Sequence, residues 1–160
     1  MSAYTNNNKT YAFCQYKGLA AVYTRGVSTK SISQDQGYVA GVCNINREEI
    51  AQRRKAGYIG LVLFVVVLGV FLLLHLNRWA RIGLFFPAFL AAIGFLQAKE
   101  HFCVGYGAAG QHNATEGSTT AHAVTNKAEA QKDKRRARQL NLKAMRFSVA
   151  ATVLALVIPV

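Results

Sequence analysis

The sequence predicts an all-α membrane protein: a transmembrane helical hairpin, a short third C-terminal membrane helix and a polar N-terminal arm. Three observations predict it. Residues 56–77 carry no Asp, Glu, Lys or Arg, and a spanning helix needs about 20 predominantly apolar residues. Residues 82–98 form a second uncharged apolar segment a few positions later. Residues 147–160 are uncharged again and follow a strongly basic stretch. At 160 residues, one folded domain is the natural expectation. The boundaries read as an arm over 1–42 and a membrane domain over 43–160, with helices at about 46–76, 82–98 and 127–160.

The arm is rich in Asn, Ser, Thr, Gly and Tyr and shows no sustained period, so a loop or extended segment is expected. Its tyrosines, among them Tyr4, Tyr11 and Tyr38, suit ordering against a partner as well as disorder in isolation. The first apolar run begins too late for a cleaved signal peptide.

A helix start is signalled at Asn46, whose side chain can accept from an early amide, with Glu49 three residues on as in a capping box. Glu48 and Glu49 suit the positive end of the helix dipole. Nothing breaks the helix before Asn77. The stretch from Asn77 to Arg81 reads as a turn with Trp79 at interfacial depth. In the second segment Pro87 falls in the first turns, where a missing amide costs little. Gly83, Ala88, Ala91, Ala92 and Gly94 are small enough for close helix packing. Residues 127–146 hold eight Lys or Arg against Glu129 and Asp133, with no Gly or Pro, and read as a basic helix. The closing 14 residues give about 21 Å of helix, short of a hydrocarbon core about 30 Å thick. A short span fed by the basic helix is favoured over a re-entrant segment or local thinning.

Lys and Arg number 19 against 7 Asp and Glu. Eight lie in 1–55, two in the turn 77–81 and nine in 99–146. That asymmetry places the N-terminus and 99–146 in the cytoplasm and the C-terminus outside. The sequon Asn113-Ala114-Thr115 then faces the side without glycosylation. The charge is thereby read as topology and lipid contact rather than nucleic-acid binding. Arg53, Arg54, Lys55, Arg135, Arg136 and Arg138 are the expected partners of anionic headgroups.

Candidate chemistry is sparse. Cys43 precedes the first helix and Cys103 follows the second, so a hairpin brings both to one membrane face. With His101 they form a candidate soft-metal set, or a redox-active thiol pair; His112 lies on the same side. The bland alternative is small buried residues at a helix junction. Three widely spaced cysteines without CxxC indicate neither a zinc ribbon nor a disulfide framework. His75, near the outer end of the first helix, is a candidate haem or chlorophyll ligand, or a side chain reaching the interface. Gly105 to Gly110 formally reads GxGxxG but lacks the preceding strand that a dinucleotide site requires. A tightly turned or flexible surface segment is the expectation there. Neither apolar segment of the hairpin carries a charged residue, which argues against a stand-alone pump or secondary transporter.

The run Cys43-Asn44-Ile45-Asn46-Arg47-Glu48-Glu49-Ile50-Ala51-Gln52-Arg53-Arg54 resembles the start of a group of small bacterial inner-membrane proteins of uncharacterised role. Gln97-Ala98-Lys99-Glu100-His101-Phe102-Cys103 is similar to a later segment of the same group. The resemblance covers roughly 41–160 and leaves the arm outside it. It implies bacterial inner-membrane residence and one structural unit around Cys43 and Cys103. It brings no activity, cofactor or functional residue.

The expected function is a non-catalytic accessory or structural subunit of a larger membrane complex. Its partners would be other membrane subunits and anionic lipid, with no nucleic acid and no cofactor. The alternatives are a thiol or metal protein using Cys43, Cys103 and His101, and a pigment- or haem-carrying subunit using His75.

Overall fold

A computed structural model of the chain describes residues 3–6, 9–12, 37–114 and 119–158. Most of these residues are helical, and three helices are long and apolar enough to cross a membrane. In order, the elements are β1 (Ala3–Asn6), β2 (Lys9–Ala12), α1 (Arg47–Leu73), a 3-10 segment (Arg78–Leu84), α2 (Phe85–Glu100), α3 (Val104–Ala109), β3 (Gln111–His112), β4 (His122–Ala123) and α4 (Lys127–Val157). The chain divides into two compact units. One comprises residues 1–50 with 100–137, the other 51–99 with 138–160. The division cuts through α1 and α4.

In the first unit, β1 and β2 pair antiparallel with Tyr4 opposite Tyr11. The arm therefore contains a hairpin that its irregular polarity did not signal. Tyr16, Tyr23 and Cys14 lie outside the described residues. Asn46 caps α1 as expected, accepting from the Glu49 amide at 3.0 Å. The Glu49 carboxylate accepts from the Tyr106 hydroxyl at 3.0 Å.

Residues 104–109, expected as a turned or flexible segment, form α3 instead. Gly110 ends it in the left-handed region at φ 69°. A Cβ on Gly107 would lie 2.6 Å from the Phe102 ring, and Phe102 is fully buried. Packing and helix termination thus account for two glycines of the GxGxxG pattern. Gln111 and His112 then pair antiparallel with Ala123 and His122.

In the second unit, α1 and α2 pack through small residues. A Cβ on Gly60 would lie 2.4 Å from the Ala91 amide nitrogen, and one on Gly94 would lie 2.5 Å from that of Gly57. Backbones that close gain dispersion contacts that Leu or Val at these positions would prevent. The part of α4 in this unit buries a stripe at intervals of three or four: Leu140, Ala144, Ser148, Thr152 and Ala155. Ser148 and Thr152 donate to the carbonyls of Ala144 and Ser148 at 2.7 and 2.8 Å. Their hydroxyls are thus satisfied within the helix, as burial demands.

The expected third helix of 127–160 is one uninterrupted helix over Lys127–Val157, with no break that a re-entrant segment would need. Arg81, at the end of the expected turn, is 2% exposed. Its Nη1 donates to the carbonyls of Ala155 at 3.0 Å and Ile158 at 2.8 Å. Within this unit the end of α4 therefore reaches the turn of the hairpin.

Candidate functional site

The first unit is held by a buried polar knot centred on Asn44, which is fully buried. Its backbone N–H donates to the His101 carbonyl at 3.3 Å, and its carbonyl accepts from the Asn113 amide at 2.8 Å. Its side chain accepts from the Cys103 amide at 2.6 Å and donates to the Cys103 carbonyl at 3.1 Å. One asparagine thus ties together the segments before α1, after α2 and after α3. Ile45 and Asn113 add a parallel bridge. Asn44, buried with its backbone and side-chain groups paired, favours this arrangement, because displacing it leaves buried donors and acceptors unmade.

Beside the knot stands Asp133 in the second turn of α4, fully buried. It accepts from the Tyr38 hydroxyl at 2.7 Å and the Gly41 amide at 2.6 Å. The Tyr38 ring stacks on His112 with centroids 4.3 Å apart and planes at 21°. His112 is itself buried, and its ring centroid is 6.0 Å from that of His122. Sequence reasoning missed Tyr38, Asp133 and His112 as a group. The only signal was an acidic residue inside a basic helix, which reads equally well as a solvated charge.

The residues singled out from the sequence fare differently. Cys43 and Cys103 are both buried, and Asn44 bonds directly to Cys103. Cys43 is disulfide-bonded and Cys103 is free, so the two sulfurs are not bonded to each other. His101, the third residue of the candidate metal set, lies just after α2. Among the described residues no three His, Cys, Asp or Glu side chains converge on a metal position.

His75 does not lie in the first helix, which ends at Leu73 rather than about 76. It adopts φ 48° in the following turn. Its amide donates to the Leu72 carbonyl at 3.2 Å, and the Leu76 amide donates to that of Phe71 at 3.1 Å. This is the double closure of a Schellman motif, with His75 in the place usually held by Gly. His101 likewise has φ 53° just after α2. Both histidines terminate helices.

Of the basic residues, Arg136 pairs with Glu100. Arg54, Lys55, Arg135 and Arg138 are exposed, and Arg53 is half-buried. Asn113 of the sequon is 1% exposed, so burial alone keeps it from a glycosylating enzyme.

The second unit contains a groove of about 430 Å³ lined by side chains of all three of its helices, with Lys99 among them. Its lining is otherwise apolar. The chain matches no protein family, no curated protein and no solved structure.

Proposed function

We propose that the chain is a non-catalytic accessory or structural subunit of a larger membrane assembly. The observation that carries this reading is the exposure of α1. Only 11% of its most apolar window is buried within the chain, against 28% for each of the other two candidate spans. α1 meets α2 closely at Gly57 and Gly60, and through the Tyr58 ring against Phe95, while Val62, Val65 and Val66 stay more than half exposed. A spanning helix so little used by its own chain is suited to lipid and to helices of other subunits.

Residence in a bacterial inner membrane rests on the resemblance at 43–54 and 97–103. A cytoplasmic N-terminus and an external C-terminus rest on the charge count. Reporter fusions after residue 160 and within residues 115–118 test that orientation.

Purification in mild detergent, followed by mass spectrometry, tests the subunit reading. A membrane protein retained at fixed stoichiometry is the expected result. A monodisperse chain with no companion overturns it.

A further inference from the structure

The groove of the second unit is bounded by Phe64 of α1, Ala92, Phe95 and Lys99 of α2, and Phe147 and Ala151 of α4. Its volume of about 430 Å³ lies in the range of about 300–1,000 Å³ typical of ligand sites. Along α2 its lining runs from Ala88 to Lys99, about 16 Å at 1.5 Å per residue. One leaflet of a hydrocarbon core about 30 Å thick is about 15 Å deep. The groove is therefore as long as one leaflet, and a cation stands at one end of it.

Charge points the same way. The second unit contains no Asp or Glu. Arg54 and Lys55 precede the groove-lining part of α1, and Lys143 and Arg146 precede Phe147 on α4. Glu100, next to Lys99 in sequence, gives its carboxylate to Arg136. Lys99 thus has no acidic partner within its own unit.

We propose that this groove seats one acyl chain of an anionic phospholipid, with the headgroup phosphate at Lys99. The aromatic rings line the chain, the alanines leave room for it, and the lysine selects the charge. The site is independent of whether the chain is a subunit of an assembly.

Native mass spectrometry of the full chain, exchanged into detergent with equimolar phosphatidylglycerol and phosphatidylcholine of identical acyl chains, tests it. One phosphatidylglycerol retained per chain in preference to phosphatidylcholine is expected. Lys99→Gln, at an exposed position, should reduce that preference about fivefold, the worth of one cation near an anionic surface. Ala151→Phe should remove the retained lipid, and the milder Ala151→Leu should weaken its retention if the larger change prevents folding. Equal retention of both lipids by the unaltered chain overturns the proposal. So does retention unchanged by Lys99→Gln, or a second copy or another protein found in the groove by crosslinking from position 151.

Discussion

Arg81 and Ile158 are joined by a hydrogen bond of 2.8 Å from a guanidinium to a carbonyl at the end of a helix. The same nitrogen reaches Ala155. A helix C-terminus leaves carbonyls without intrahelical partners and carries partial negative charge. Ala155 is 2% exposed, so water does not reach its carbonyl in place of the guanidinium. Arg81→Ala should therefore destabilise the protein by about 1–3 kcal/mol, the cost of leaving a buried acceptor unmade. Arg81→Lys should recover part of it. Ending the chain at Val157 should cost less in the Arg81→Ala background than in the unaltered one, because the two changes remove a shared bond. Thermal denaturation in detergent measures all four variants, and strict additivity would refute the cap.

Gly60 and Gly69 are both glycines of α1, yet they should respond in opposite ways to alanine. At Gly60 the added methyl meets the Ala91 backbone, which cannot swing aside as a side chain can. Overpacking of this kind costs about 1–3 kcal/mol. At Gly69 nothing lies within 4 Å of the added atom, and alanine is favoured over glycine in a helix by about 1 kcal/mol. Gly60→Ala should lower the melting temperature and Gly69→Ala should hold or raise it. Equal effects would show that α1 and α2 do not pack through Gly60.

His75 should be replaceable by glycine with a gain in stability. Its left-handed backbone costs a residue with a Cβ about 1–2 kcal/mol, and histidine is better tolerated there than a β-branched residue. His75→Gly should stabilise and His75→Val should destabilise, both read from thermal denaturation. The reverse order would return His75 to consideration as a ligand.

The helices were legible because charge-free runs of this length have few alternatives, and the Asn46 cap because its geometry is local. The arrangement between them was less legible. Arg81 looks from the sequence like any loop cation, since its acceptors at Ala155 and Ile158 are distant in the chain. His75 and His101 occupy sites where glycine is the usual signal, so their role as terminators was hidden by residues that invite a ligand reading. Gly57 and Gly60 were overlooked while Ala88, Ala91 and Gly94 were noticed, although a close approach needs both partners. The pairing of Asp133 with Tyr38 joins residues 95 apart, and no local pattern records such a contact.

Tyr38→Phe should open the first unit. Without the phenol hydroxyl, buried Asp133 keeps the Gly41 amide as the described donor to its carboxylate. Hydrogen bonds to charged groups contribute about 1.5–3 kcal/mol, which corresponds to at least about tenfold in an opening equilibrium. Cys103 supplies the readout: it is free and 3% exposed, so a maleimide reaches it only when the unit opens. Labelling at Cys103, located by peptide mapping, should quicken about tenfold or more in Tyr38→Phe and stay unchanged in Arg135→Gln on the exposed face of α4. A Tyr38→Phe chain that labels at the original rate would mean that Asp133 is held without Tyr38.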